Sequence, residues 1–190
     1  MTSHFFVECR DCGSRTSFHP GDTACPSCGS LWREAKYDYA GVSQIWDAEL
    51  ADQPFDIWRY RQLLPIRSSY RDLTFHEGGT PLLPVVNLGM ILGHHHIYFK
   101  DERRGPTASF KDRQAAIAIP VLKEAGISEA VFASTGNVAI ASSAYAARAG
   151  LKLWAFLTSM VPADKMREVA LYGTQVIKVN GSYAQAKQVA

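Results

Sequence analysis

The fold is decided by residues 129–158, EAVFASTGNVAIASSAYAARAGLKLWAFLT. This stretch predicts a buried strand over 130–133, a helix of small residues over 137–149 and a second strand over 152–157. The alternation continues outward with a helix over 163–172, a strand over 175–179 and the start of a helix over 183–190. Strands and helices of these lengths predict βαβ units, and therefore an α/β fold with a parallel sheet. The ligand crevice of such a sheet lies at the carboxyl ends of its strands.

The amino-acid composition indicates a globular protein and excludes several classes of function. The chain has 190 residues, of which 47% are hydrophobic and 20% charged, and this balance is that of a globular protein rather than a disordered one. The net charge of +2 lacks the basic excess of an electrostatic nucleic-acid binder, so we expect no nucleic-acid partner. There is no apolar run of about 18 residues and no signal-peptide core at residues 1–7, so we expect no membrane association and a cytoplasmic location.

All four cysteines lie in two CxxCG hairpins, residues 9–13 (CRDCG) and 25–29 (CPSCG). Four thiolates at this spacing predict a zinc ribbon with the ligands Cys9, Cys12, Cys25 and Cys28. Because four sulfur ligands leave no open coordination position, we expect a structural metal that does no chemistry. A thioredoxin-type dithiol and a nucleic-acid ribbon are the alternatives, and the ribbon's four acidic and four basic residues disfavour the second.

We divide the chain into three segments. Residues 1–36 form the zinc-ribbon module, 37–75 a connecting arm, and 76–190 the N-terminal part of a catalytic domain. The chain stops within a helical pattern without a cap, so we expect it to be truncated. Pro120 lies inside the helix predicted over 109–125 and predicts a kink or a split near Ile117.

Two motifs carry candidate chemistry. Lys111 follows Pro and Ser residues that favour a helix start, where the positive helix end disfavours an ammonium group and an amine nucleophile becomes plausible. Residues 133–137 (ASTGN) follow a strand and open a helix, which is the position of a ligand loop. In each case a plainer interpretation is open: a solvated Lys-Asp-Arg run, and an ordinary helix cap at Asn137.

Together these motifs resemble the threonine synthase branch of the fold type II pyridoxal phosphate (PLP) enzymes. The resemblance covers most of the chain and rests on the ribbon and five further segments in the family's order. These segments are residues 77–82 (EGGTPL), 100–102 (KDE), 106–113 (PTASFKDR), 133–137 (ASTGN) and 144–151 (AYAARAGL).

The resemblance implies a tryptophan synthase beta-like PLP fold and a role for each motif residue. Lys111 would bind PLP covalently and move protons at the substrate's α-carbon. Phe110 would lie beside the cofactor ring, and Asn137 would hydrogen-bond its 3-oxygen. Ser134, Thr135 and Gly136 would receive the carboxylate of an amino-acid substrate. The phosphate-binding loop and the partner of the pyridine nitrogen come later in the family's sequences, so we expect this chain alone to be inactive.

The implied activity is a lyase that converts O-phospho-L-homoserine and water to L-threonine and phosphate. The chain departs from the family at Gly105, Ala108 and Gln114, where Asn, Gly and Gly are common. Because relatives such as cysteate synthase and threonine or serine dehydratase share the scaffold, they are alternatives for the substrate. A non-catalytic zinc-ribbon binding module is a further alternative. The oligomeric state is open, with a homodimer as one option.

Overall fold

The computed structural model describes residues 5–66 and 71–190. Its N-terminal part is an antiparallel sheet with the strand order β2-β1-β3. These strands are β1 (Phe5–Cys9), β2 (Arg15–Thr16) and β3 (Arg33–Tyr37). Along β1 the buried residues Phe5, Val7 and Cys9 alternate with half-buried ones, so one face of the strand is directed into the protein.

The connecting segment contains helix α1 (Tyr39–Ala51) and the 3-10 helices Ile57–Leu63 and Arg71–Leu73. Asp56 begins the first 3-10 helix because its carboxylate accepts hydrogen bonds from the amides of Trp58 and Arg59. The buried side chains of Trp58 and Ile66 then pack against Val121. This segment is therefore attached to the helix that carries Val121.

A hairpin-like unit follows, in which β4 (Leu82–Pro84) pairs antiparallel with β5 (Tyr98–Lys100). Helix α2 (Val86–Leu92) connects the two strands and ends at Gly93, whose φ of 66° suits glycine. The sequence pattern predicts a short strand over 97–100, which corresponds to β5, but it predicts no strand at β4. Pro81 precedes β4 and Pro84 is its last residue; both argue against a strand in the sequence pattern but are tolerated in this two-stranded pair.

The rest of the chain alternates helices and strands as the sequence predicts. The elements are α3 (Lys111–Glu124), β6 (Glu129–Ser134), α4 (Asn137–Ala149), β7 (Lys152–Thr158), α5 (Ala163–Leu171), β8 (Gln175–Val179) and α6 (Tyr183–Val189). The three strands are parallel in the order β6-β7-β8. This arrangement confirms the α/β class with βαβ units.

Small residues allow the helices to pack closely on this sheet. Ala116 of α3 and Ala141 of α4 are fully buried in one cluster with Leu153 of β7. In a second cluster, α4 and α5 contact the same strand through Ala155 and Leu157. This packing fixes the position of α4, whose first residue, Asn137, lies next to the loop at the end of β6.

Helix α3 is continuous across Pro120, so the predicted split is wrong. Proline removes one amide donor from the helix, a loss that local packing can offset. Ile119 and Val121, on either side of Pro120, are buried in separate core clusters that hold both halves of the helix.

Candidate functional site

The loop before α3 is clamped to the first turn of the helix. The carboxylate of Asp112, which is 1% exposed, accepts hydrogen bonds from the Thr107 amide at 3.0 Å and the Thr107 hydroxyl at 2.5 Å. A Cβ atom at Gly105 would lie 2.4 Å from the same carboxylate, so a side chain at this position would displace the clamp. Glycine at residue 105, where the family commonly has asparagine, is therefore the residue that the local packing accommodates. The clamp fixes the backbone from which Lys111 projects.

Lys111 is the first residue of α3 and is half-buried. Its Nζ atom lies 4.6 Å from the centre of the Phe110 ring. The Phe110 ring is 57% exposed and lines a cleft of about 570 Å³, a volume typical of small-molecule sites. The cleft is also lined by Leu83, Phe99, Lys100, Asp101, Glu102, Arg103, Ala108, Ser109 and Asn137.

The second motif forms a turn at the carboxyl end of β6. Ser134 is buried, and its hydroxyl accepts a hydrogen bond from the Gly136 amide at 3.2 Å. Gly136 has a φ of 154° and a ψ of −106°, a conformation that residues with side chains rarely adopt. Thr135 and Asn137 are exposed, and Asn137 lines the cleft. In this arrangement the Ser134 hydroxyl shapes the turn, while Asn137 reaches the cleft.

A polar cluster beneath the cleft joins α3 to the segments before and after β5. Arg113 forms two hydrogen bonds to the carboxylate of Glu102, at 2.9 and 3.0 Å. The Thr80 hydroxyl donates to the same carboxylate at 2.7 Å, and the Lys100 ammonium donates to the Thr80 carbonyl. The hydrogen bonds from Arg113 lower the pKa of Glu102, and those to Glu102 raise the pKa of Arg113. The charged residues 100–102 thus have different partners: Lys100 binds the Thr80 carbonyl, Asp101 binds Arg103 and Glu102 binds Arg113.

Glu77 holds the turn that precedes this cluster. Its carboxylate, 1% exposed, accepts hydrogen bonds from the Trp58 indole at 2.9 Å and the Tyr145 hydroxyl at 2.7 Å. Thr74 and the Phe75 amide donate to it as well. Burial, and then the charge of Glu77, raise the pKa of Tyr145, so its hydroxyl stays protonated and donates. The sequence pattern at residues 77–81 predicts a turn but not this buried hydrogen-bond network.

Lys165 is a site residue that the sequence did not reveal. Its ammonium donates to Oδ1 of Asn137 at 2.8 Å across 28 residues of chain. The lysine lies in the first turn of α5 and follows β7, whereas Asn137 follows β6. The only available signal was that both helices begin at the carboxyl ends of neighbouring parallel strands.

The four cysteines meet in one cluster, and their sulfur atoms all lie within 4.8 Å of one another. The Cys9–Cys28 and Cys12–Cys25 sulfur distances are 3.6 and 3.7 Å. A tetrahedral zinc ion with Zn–S bonds of about 2.3 Å requires sulfur–sulfur distances of about 3.8 Å. The geometry therefore fits the predicted metal.

The two CxxCG hairpins fold alike, which is why the cluster is so regular. The Gly13 amide donates to the Cys9 carbonyl and the Gly29 amide to the Cys25 carbonyl, at 2.9 and 2.8 Å. Both glycines have φ values near 70°, namely 70° and 74°. Backbone amides, first that of Ser27, lower the pKa of Cys25 to about 6. Amides directed at sulfur favour the thiolate form that a metal requires.

The cleft also fits the PLP that the resemblance implies. It combines an aromatic wall from Phe110 with an amide group from Asn137, and an amine projects from the neighbouring residue Lys111. These groups suit a planar, polar aldehyde with a hydrogen-bonding oxygen. The loop at residues 134–136 leads into the first turn of α4, where backbone amides favour an anion. Among the residues that the structure describes, no helix is both long and apolar enough to cross a membrane.

Comparison with known proteins gives matches that agree with this chemistry. A family model described as "Pyridoxal-phosphate dependent enzyme" matches residues 73–190. The solved structure of serine racemase from Dictyostelium discoideum is 30% identical, with a TM-score of 0.51 over 58% of this chain and 36% of that one.

Two archaeal relatives match most of this chain. A threonine synthase from Methanocaldococcus jannaschii is 35% identical over 161 residues, which are 84% of this chain and 40% of that protein. A threonine synthase from Methanosarcina acetivorans is 30% identical over 183 residues, which are 96% of this chain and 44% of that protein. The chain thus spans less than half the length of these relatives.

Proposed function

Because this chain belongs to the family of pyridoxal-phosphate dependent enzymes, we propose that the whole protein is a lyase that makes L-threonine. The reaction is the conversion of O-phospho-L-homoserine and water to L-threonine and phosphate. The relatives named threonine synthase support this substrate. The observation that carries the proposal is the cleft. Phe110 and Asn137 both line it, and Lys111, the first residue of α3, follows Phe110 directly.

Within this proposal Lys111 binds the cofactor covalently through Nζ and then takes and returns protons at the substrate's Cα. When bound, PLP withdraws electrons from the substrate and makes those protons acidic. The Asp112 clamp on Thr107 keeps the start of α3 in one position, so the Lys111 amine always projects from the same point. Phe110 lies beside the cofactor ring, and Asn137 donates a hydrogen bond to the 3-oxygen.

The loop Ser134, Thr135 and Gly136 binds the substrate's carboxylate in this proposal. The amides at the start of α4 and the positive helix end favour an anion there. The buried Ser134 hydroxyl keeps the loop in shape through its hydrogen bond to the Gly136 amide. The Thr135 hydroxyl is exposed and does not shape the loop in this way, so it can donate a hydrogen bond to the substrate's carboxylate.

The N-terminal module contributes structure rather than chemistry. We propose that one zinc ion is bound by Cys9, Cys12, Cys25 and Cys28 and stabilises the ribbon module of residues 1–36. Residues 37–75 connect this module to the catalytic domain, to which residues 76–190 belong. A cytoplasmic location and a homodimer belong to the same proposal. Sulfur distances near those of a tetrahedral site support the metal.

A related PLP enzyme with another substrate is the second candidate. Ala108 and Ser109 line the cleft, and Ala108 stands where the family commonly has glycine. A methyl group at the cleft wall can change which side chain fits. Cysteate synthase and threonine or serine dehydratase are the activities to compare.

The test is an absorbance spectrum of the whole protein after addition of PLP. We expect a band that borohydride bleaches in the wild type and in Lys178→Ala, an exposed control on β8, and no such band in Lys111→Ala. Phosphate release from O-phosphohomoserine then supports threonine synthesis. Phosphate release from phosphoserine with sulfite, or ammonia release from threonine, would favour the second candidate.

Absence of the band in the wild type would overturn the PLP proposal and leave the zinc-ribbon binding module. An equal band in Lys111→Ala would overturn the assignment of the lysine.

A further inference from the structure

Lys165 lies at the edge of the candidate cofactor cleft, on an element that no motif connects with it. It is the third residue of α5, and its ammonium donates to Oδ1 of Asn137 at 2.8 Å. A Cβ atom at Gly136 would lie 3.5 Å from the same Nζ, so the ammonium also lies against the loop. The Lys165 ammonium thus binds Asn137 and lies beside Gly136.

The contact decides which way the Asn137 amide points. An ammonium group has three donors and no acceptor, so it can bind the amide only through Oδ1. Rotating the amide by 180° would bring the NH2 group against the ammonium, two donors facing each other. Lys165 therefore keeps the Asn137 NH2 group as the end that remains for other partners, and Asn137 lines the cleft.

The charges nearest the cleft leave this contact undisturbed. The Asp101 carboxylate is paired with Arg103, at 2.8 and 3.0 Å, and the Glu102 carboxylate with Arg113. The two carboxylates on the cleft wall are thus already bound to guanidinium groups. The Lys165 ammonium therefore binds the amide oxygen of Asn137 rather than one of these carboxylates.

We propose that Lys165 is a positioning residue for the cofactor: it orients Asn137 so that Nδ2 donates a hydrogen bond to the 3-oxygen of PLP. The inference rests on the proposed function, because it requires that PLP binds in this cleft. It adds that the orientation of Asn137 depends on Lys165 of α5, the helix that follows β7. The hydrogen bond from Nδ2 favours the deprotonated 3-oxygen.

The experiment measures PLP affinity and the absorbance spectrum of the whole protein, without substrate turnover. Lys165→Met, which keeps the chain length and removes the cation, should weaken PLP binding about tenfold, the effect of losing one charge-assisted hydrogen bond. The spectrum should shift toward the form with a protonated 3-oxygen, at shorter wavelength. Lys165→Arg, which keeps a cationic donor, should restore most of both properties.

Two controls separate positioning from general damage. Arg167→Met removes an exposed cation from the same helix and should leave affinity and spectrum unchanged. In an Asn137→Ala background, Lys165→Met should have little further effect, because the two residues act through one hydrogen bond. Unfolding temperatures of all variants check that the fold is retained.

Wild-type affinity and spectrum in Lys165→Met would overturn the inference, as would additive effects in the double variant. If Lys165→Met does not fold, Lys165→Ala provides the same comparison, because alanine also lacks the cation and the donor. A wild-type protein without a Lys111-dependent band would instead contradict the proposed function, so the two failures are distinguishable.

Discussion

Ala108 adopts a left-handed backbone conformation, with a φ of 55°, in the loop that precedes Lys111. For residues other than glycine this conformation costs roughly 1–2 kcal/mol. Glycine avoids that cost but loses roughly 0.5–1 kcal/mol more conformational entropy on folding. We therefore expect Ala108→Gly to raise the free energy of unfolding by up to about 1 kcal/mol, measured by denaturant titration.

Ala118→Gly is the matched control, because it makes the same change at an exposed position inside α3. There glycine should lower stability by about 1 kcal/mol. Destabilisation of similar size at both positions would contradict the assignment of strain to Ala108. The variant also removes a methyl group from the cleft wall, so substrate preference should be compared in the same proteins.

Glu77→Gln tests the buried hydrogen-bond network at the turn before β4. Both carboxyl oxygens accept hydrogen bonds, Oε1 from the Trp58 indole and Oε2 from the Phe75 amide. A glutamine NH2 group would face one of these N–H donors, which cannot reverse their direction. We expect a loss of roughly 1–3 kcal/mol in the free energy of unfolding.

Tyr145→Phe provides a graded comparison, because it removes one donor and leaves the carboxylate with its other partners. Its loss should be about 1 kcal/mol and smaller than that of Glu77→Gln. Equal unfolding free energies for Glu77→Gln and the wild type would show that the turn does not depend on the carboxylate.

Single residues were predictable where their chemistry depends on local spacing. The cysteines of both hairpins could be proposed as ligands because two residues separate the cysteines of each pair. The position of Lys111 at a helix start followed from the Pro and Ser residues before it. The contact of Lys165 with Asn137 could not be foreseen, because it joins residues on different helices that only the parallel sheet brings together.

At the scale of elements, the Glu102–Arg113 ion pair ties the segment after β5 to α3. Because hydrogen bonds from Arg113 hold the pKa of Glu102 below its ordinary value, the pair stabilises the fold above the unfolded pKa of about 4.3. That contribution is lost as the pH falls through the lower, folded pKa. We expect Glu102→Gln to cost about 1–2 kcal/mol at pH 7, with the difference from wild type closing below about pH 4.

Glu129→Gln is the control for this pH dependence. Glu129 pairs with Lys152 at 2.8 Å, but both side chains are about half exposed, at 52% and 55%. Exposed pairs of this kind contribute little to stability. A pH-independent difference between Glu102→Gln and wild type would argue against the ion pair as its cause.

Elements were predictable where the sequence pattern is periodic and long. The helix at 137–149 and the strand at 175–179 have the predicted bounds, because glycines and small residues mark them clearly. The short strand β4 was missed because one proline precedes it and another ends it, and prolines argue against a strand. Helix α3 is not split at Pro120, because burial of the residues on both sides of the proline offsets the single lost hydrogen bond.

At the scale of the whole molecule, the N-terminal module and helix α3 share a core. Phe18, which lies between the two CxxCG hairpins, packs against the cluster formed by Trp58, Ile66 and Val121. Val121 lies in the last turns of α3, the helix that begins with Lys111. No motif in the sequence indicated this contact, because it depends on how the connecting segment folds back.

We therefore expect metal removal to loosen α3 as well as the ribbon. Without a metal nothing bridges the four cysteine sulfur atoms, so a chelator should unfold the CxxCG hairpins and withdraw Phe18 from the cluster that contains Val121. Hydrogen exchange followed by mass spectrometry should show faster exchange, by tenfold or more, in residues 5–37 and in the last turns of α3. Strand β7, whose residues Leu153 and Leu157 lie in the core behind α4, should keep its protection.

Added zinc should restore protection, and Cys12→Ser should reproduce the loss without a chelator. Since Phe18 transmits the effect, Phe18→Ala should raise exchange in the last turns of α3 while the metal stays bound, as metal analysis would check. Unchanged exchange in α3 after the ribbon has lost its metal would mean that the ribbon is attached to the catalytic segment without supporting it. Faster exchange in β7 as well would mean that the metal stabilises the entire fold rather than one end of the helix that carries Lys111.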